Sequence, residues 1–221
     1  MIKILKKINK YIFEEFINEY YLLLDHEIDA NIGTLLDVGC GDSSKMERIA
    51  QRLKCSVGVD NYEPRLSQGA KNNIYTEYKK MDVLEIGKYF KPNSFDCVMA
   101  SDVIEHLSKE DGRTLLEQME KIARKKIIVF TPNGFLKQTA YDGNILQIHI
   151  SGWEVDEMRN LGYRIIGVNG LKYLRGERTN IKWWPRPLWF RISLLSQLFV
   201  KNNPDLAFQI FCVKDKITRD C

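Results

Sequence analysis

The stretch Thr34–Ser44, TLLDVGCGDSS, decides the fold. A short apolar run reaches an acid, Asp37, and then two glycines two apart, Gly39 and Gly41. A strand that ends in a glycine turn and opens a helix presents free backbone N–H groups, and glycine lets a ligand approach closely. The dinucleotide pattern G-x-G-x-x-G would need a third glycine where Ser44 stands, so the pattern is incomplete. A tight turn with no ligand is the simpler reading of the glycines alone.

Asp37 separates the possible ligands. Two like charges about 4 Å apart at moderate dielectric repel by on the order of 4 kcal/mol, so a pyrophosphate over this turn would be disfavoured. A ligand with a positive head and no phosphate turns the same carboxylate into an asset. S-adenosylmethionine, with an ammonium and a sulfonium, meets that description.

Outward from this turn the chain alternates. Short β-type runs fall at Leu35–Val38, Ser56–Asp60, Ile74–Lys80, Phe95–Ala100 and Lys126–Thr131. Helical patterns lie between most of them, at Ser44–Leu53, Pro64–Ala70 and Lys109–Ala123. Alternating strand and helix predicts an α/β fold with a parallel sheet covered on both faces. After the loop 132–150 come a helix at Gly152–Leu161 and strands at Tyr163–Val168 and Ala207–Lys214.

Three further acids sit at predicted strand ends: Asp60, Asp82 and Asp102. In a parallel sheet those ends share one edge, where ligands bind. Asp60 lies about 20 residues past the glycines, the offset of a carboxylate that grips ribose hydroxyls. Asp82, one strand further out, is placed to accept from an adenine amino group. Each acid alone reads equally as a helix N-cap or turn former; four in step with the glycine turn form a pattern.

LLDVGCGDSS, VGVDNYEP, KKMDVLEI, FDCVMASDVIEHL and KIIVFTPNG, in this order, resemble the successive motifs of class I S-adenosylmethionine-dependent methyltransferases. The resemblance spans about Thr34 to Tyr163. It implies a Rossmann-like seven-stranded, mostly parallel sheet of order 3-2-1-4-5-7-6 with helices on both faces, the last strand antiparallel. It implies that Asp37, Gly39 and Gly41 hold the methionine end of the cofactor and Asp60 the ribose, with Asn61 against the adenine. Asp82 and Val83 would frame the adenine, and Ala100 and Ser101 would floor the site. Ser43 replaces a frequent glycine of the first motif and is read as a helix N-cap.

Methyl transfer from a sulfonium is an in-line displacement on carbon already activated by sulfur. The protein aligns the nucleophile and excludes water, and a base is needed only for an acceptor proton of high pKa. His106 in VIEHL and His149 in QIHIS are the catalytic candidates, each also readable as a histidine that orders a loop. Tyr141 and Asp142, beside Gly143, are candidate acceptor contacts or plain turn formers.

The remaining features bear on the acceptor. The 221 residues suit a single methyltransferase domain: a helical extension over 1–30, a core sheet in 31–169 and 205–216, and an insertion over 170–204. Apolar residues at helical spacing from Ile2 to Leu24 predict one or two amphipathic helices that pack on the domain or lie on a membrane surface. In the insertion, Leu188, Arg191, Leu195, Leu198 and Phe199 predict a helix with an apolar face, amid Lys182, Arg186 and Lys201. That helix suits domain packing, a homodimer contact or peripheral membrane contact.

Five cysteines without C-x-x-C spacing and three scattered histidines predict a reducing cytoplasmic setting and no metal site. The net charge of +4 is spread along the chain, and no dense basic stripe with aromatics signals nucleic acid. The leading expectation is methylation of a small-molecule, sugar or lipid-like acceptor. A nucleic-acid methyltransferase, a non-catalytic cofactor-binding scaffold and a NAD-dependent reductase are the alternatives.

Overall fold

The computed structural model describes residues 19–140 and 144–216. Seven strands form one sheet: β1 (Thr34–Val38), β2 (Cys55–Asp60), β3 (Glu77–Lys80), β4 (Phe95–Ser101), β5 (Ala123–Pro132), β6 (Arg164–Leu171) and β7 (Ala207–Asp215). Their order is β3-β2-β1-β4-β5-β7-β6, with β7 antiparallel to both neighbours and the other pairs parallel. This is the expected sheet. Leu35, Leu36 and Val38 are wholly buried. Each such side chain contributes roughly 1.5–3 kcal/mol relative to exposure, which favours strands covered on both faces.

The longer helices are α1 (Glu19–Glu27), α2 (Glu63–Lys71), α3 (Lys109–Ile122), α4 (Val155–Asn160) and α5 (Arg186–Val200). Of the amphipathic pattern Ile2–Leu24 only the part in α1 falls within the described residues. There Tyr20, Leu23 and Leu24 are buried. Glu27 is buried too, and accepts from Lys126 Nζ at 2.6 Å and Arg164 at 2.7 Å. This pairing ties α1 to β5 and β6.

Three local expectations shift. Strand β3 begins at Glu77, not Ile74. Tyr75 and Thr76 bond through side chains instead of a ladder: Thr76 exchanges bonds with Ser56, and Tyr75 N donates to the Tyr78 hydroxyl. The helix expected over Ser44–Leu53 is a 3₁₀ turn, Ser44–Met46, followed by one α turn, Glu47–Ala50. Ser43 occupies the cap position, but its side chain makes no capping bond. Asp42 does this instead, accepting from Ser44 N at 3.0 Å. Ser43 adopts φ 57°, left-handed backbone that glycine enters without strain.

The insertion helix is inside out. Ser193 and Val200 are its buried residues. Leu195 and Leu198 are 71% and 72% exposed, and Leu188 and Phe199 are exposed as well. Polar groups make the docking face: Gln197 accepts from Gly170 N at 2.9 Å and donates to Gly167 O at 2.9 Å, while Ser196 Oγ accepts from Leu171 N at 3.0 Å. A Cβ on Gly167 would meet Val200 O at 2.0 Å, so only glycine lets the helix sit this close to β6. Among the described residues no helix is long and apolar enough to cross a membrane.

Candidate cofactor site and acceptor pocket

A cavity of about 580 Å³ opens at the C-terminal ends of β1, β2 and β4. Its volume lies within the roughly 300–1,000 Å³ of small-molecule sites. Asp37, Gly39 and Gly41 line it beside Asp60 and Asn61, and Asp82, Val83 and Ser101 line it as well. Ala100 does not: it is 1% exposed and belongs to the hydrophobic core. Tyr141 and Asp142 lie outside the described residues.

Asp37 is positioned by a relay that begins in its neighbouring strand. It pairs in register with Gly58 of β2. A Cβ on Gly58 would strike the Tyr75 ring at 2.6 Å, so the missing side chain makes room for that ring. The Tyr75 hydroxyl then donates to Asp37 Oδ2 at 2.6 Å. Burial, reinforced by the Asp37 charge, pushes the Tyr75 phenol well above its ordinary pKa, so it remains a donor.

The glycine turn is built from the backbone. Gly39 has φ 72°, and its N–H donates to Val59 O at 2.8 Å. Gly41 N–H donates to Asp60 Oδ2 at 2.8 Å, and Tyr62 N–H donates to Oδ1 at 2.7 Å. Asp60 thus laces the first loop to the second, and each of its oxygens keeps a further lone pair directed to other donors. Asp82 accepts from Leu84 N at 2.9 Å and caps the 3₁₀ turn Val83–Glu85. The capping role weighed for each acid and the cavity position coexist in Asp82.

On the other side, Ser101 Oγ accepts from the Tyr20 hydroxyl at 2.8 Å. Tyr20 comes from α1 and lines the cavity, a placement the helical periodicity read only as apolar. Leu136, Leu146 and Phe208 add apolar surface, and Arg178 adds a cation on left-handed backbone. Arg178 ends the basic stretch Gly170–Arg178, which reads in sequence as a contact for an anionic acceptor or as a solvated loop; no sequence signal singles out Leu136, Leu146 or Phe208, since their convergence depends on loop paths.

His106 and His149 stand together, ring centroids 4.8 Å apart and edge to face. Both line the cavity. Burial lowers the pKa of each, and for His149 the neighbouring His106 lowers it further. Glu105, His106 and His149 each offer one ligand-type atom, all within 4.8 Å of one another. Three scattered histidines and cysteines without C-x-x-C spacing predict no metal site, yet the fold brings two of those histidines together beside Glu105.

Comparison with known proteins agrees with this geometry. Residues 35–126 match a family described as "Methyltransferase domain". An uncharacterised methyltransferase of Mycobacterium tuberculosis is 28% identical over 147 residues, covering 64% of this chain and 68% of the relative. A SAM-dependent methyltransferase of Archaeoglobus fulgidus superposes with TM-score 0.54 at 16% identity, over 97% of this chain and 94% of that one. Magnesium protoporphyrin IX methyltransferase of Synechocystis PCC 6803, solved with bound SAM, gives TM-score 0.53 at 14% identity, over 90% and 78%.

The sheet order is that of the class I methyltransferase fold, and residues 35–126, which include the glycine turn, are similar to the methyltransferase-domain family. The protein is a methyltransferase with S-adenosylmethionine as its methyl donor.

Proposed function

We propose that this methyltransferase acts on a lipid-like acceptor, one of the small-molecule, sugar and lipid-like acceptors compatible with the pocket, and works at an anionic membrane surface. The observation that carries this reading is the inverted helix α5. Its apolar residues face outward, and Trp183 and Trp184 just before it are 52% and 84% exposed. From Arg178 to Pro204 the chain contains no acidic residue but five basic ones, Arg178, Lys182, Arg186, Arg191 and Lys201. Outward leucines, exposed tryptophans and a run of basic residues with no acid between them suit the headgroup boundary of an anionic bilayer, with Lys201 paired to Glu19 at 3.4 Å and Arg178 to Glu177 at 3.9 Å. Apolar Leu136, Leu146 and Phe208 in the cavity suit the body of such an acceptor.

In this reading Asp37 receives the cofactor's ammonium, Gly39 and Gly41 let its methionine end approach, and Asp60 takes the ribose hydroxyls. Asn61, Asp82 and Val83 frame the adenine, and Ser101 closes the floor. Ala100 supports that floor from the core without lining it. His106 or His149 accepts the acceptor's proton, if it has one to lose. Tyr20 closes the site from α1 and excludes water.

Labelled-methyl transfer from S-adenosylmethionine into a cell extract tests the acceptor class. Label extracted into organic solvent supports a lipid-like acceptor. Label confined to water-soluble metabolites or to RNA would replace it, and no label would favour a scaffold. Calorimetry with S-adenosylhomocysteine tests the donor side: Asp60→Ala should remove most binding, and equal affinity would remove the ribose assignment.

A further inference from the structure

Outside the donor residues, the cavity holds a second constellation. Glu105, His106 and His149 come from two separate loops, yet the local hydrogen bonds fasten those loops to each other. The Glu105 carbonyl accepts from Ile150 N at 2.9 Å and Ser151 N at 3.1 Å. The Ile104 carbonyl accepts from Ser151 Oγ at 3.2 Å and from Trp153 Nε1 at 3.1 Å. The segment bearing the acid and the first histidine is therefore bound to the segment bearing the second.

The ring orientations are also set. His106 Nδ1–H donates to Ile148 O at 3.1 Å, and His149 Nδ1–H donates to Leu136 O at 2.6 Å. A carbonyl only accepts, so Nδ1 carries a proton in both rings, and in the neutral form of each ring the lone pair is on Nε2. An Nδ1–H bond to a backbone carbonyl is the usual way a protein orients a metal-ligating imidazole. Glu105 Oε2 is oriented in the same manner, accepting from Thr131 Oγ1 at 2.9 Å. Glu105 is 1% exposed, and Asp102 lines the same cavity as both imidazoles.

We propose that Glu105, His106 and His149 form a binding site for a first-row divalent metal ion on the acceptor side of the cavity. Two imidazoles and one carboxylate suit Zn²⁺, Fe²⁺ or Mn²⁺ better than the all-oxygen preference of Mg²⁺ or Ca²⁺. Three protein donors leave coordination positions open. With an ion held there, an acceptor hydroxyl would have its pKa lowered and would release its proton to water, and its oxygen would attack the donor methyl as the sulfur leaves in S-adenosylhomocysteine; the two imidazoles would then serve as ligands in place of the base role. That catalytic use rests on the methyltransferase reading; the binding of the ion does not.

The test uses the full chain, freed of metal by a chelator and titrated with cobalt(II) chloride while the visible d–d absorption is followed. The expected result is a saturable one-to-one spectrum. His106→Gln and His149→Gln should each weaken cobalt binding by more than the roughly 10–100-fold that losing a mere supporting partner costs. Their S-adenosylhomocysteine affinity should stay unchanged, which shows that both variants are folded. No saturable spectrum in the wild-type chain, or equal cobalt affinity in both variants, would overturn the site. Cobalt binding without S-adenosylhomocysteine binding would uphold the ion site while rejecting the donor assignment.

Discussion

The Tyr75 hydroxyl donates to the Asp37 carboxylate across 2.6 Å, and both residues are buried. A strand residue and a loop residue 38 positions apart thereby share one charge at the head of the cofactor cavity. Tyr75→Phe should lower stability by about 1.5–3 kcal/mol, the range for a hydrogen bond to a charged group. Without this donor the Asp37 carboxylate loses a bond that fixes its position at the cavity, so S-adenosylhomocysteine should bind more weakly. Denaturant unfolding and calorimetry check the two effects separately.

Gly39 is held at φ 72°, and a Cβ there would meet Val103 Cγ2 at 2.5 Å. Gly39→Ala should therefore cost about 1–3 kcal/mol in backbone strain, with the clash in addition. Adding Val103→Ala should recover the clash but not the strain. Melting temperatures of the single and double variants separate the two contributions.

Asp96 joins the first strand to the fourth from below. It accepts from Gly33 N at 2.9 Å and from Arg124 Nε and a terminal nitrogen at 2.9 and 2.8 Å. Burial pushes its carboxyl up, but the Arg124, Gly33 and Lys125 bonds outweigh this and hold it at about 2. The unfolded value is about 3.9. The folded value is the lower one, so the contribution is complete above pH ~4 and is lost as pH falls through ~2. Its size is about 2.5 kcal/mol. Asp96→Asn should be less stable at neutral pH and show a flatter acid limb between those values, measured by urea unfolding across pH.

Glu27 bonds both Lys126 and Arg164 while only 2% exposed. Glu27→Ala leaves the partly exposed Lys126 with Asp215 at 3.4 Å in place of the closer Glu27 and should destabilise the protein by about 1.5–3 kcal/mol. Because α1 also carries Tyr20, S-adenosylhomocysteine affinity should fall with it. Amide hydrogen exchange should show α1 opening before the sheet.

Leu195 and Leu198 face outward from α5. Leu195→Ser with Leu198→Ser should change stability by no more than about 0.5 kcal/mol, as for ordinary surface substitutions. The same pair should reduce flotation with anionic vesicles at low salt. Wild-type protein that fails to float would retire the membrane contact.

The sheet was legible because buried parallel strands demand unbroken apolar runs, and the runs at Leu35–Val38 and Phe95–Ala100 announce themselves. The cavity acids were legible for a topological reason: parallel strands deliver their C-terminal ends to one edge. Ala100 and Ser101 differ by one step of the strand period: Ser101 faces the cavity while Ala100 faces the core. Local turns were less readable. The Thr76–Ser56 exchange that shortens β3 and the Asp42 cap are side-chain bonds, and apolar periodicity carries no record of them.

By itself the sequence determined the order of strands and helices, the glycine turn and the electrostatic choice of a cationic donor, because each rests on contacts near in the chain or on strand topology. Tertiary structure alone decided that Gly58 makes room for the Tyr75–Asp37 bond, that α5 turns its apolar face outward, and that His106 meets His149. Those outcomes depend on distances between segments far apart in the chain, and the same side chains at the same positions would permit others.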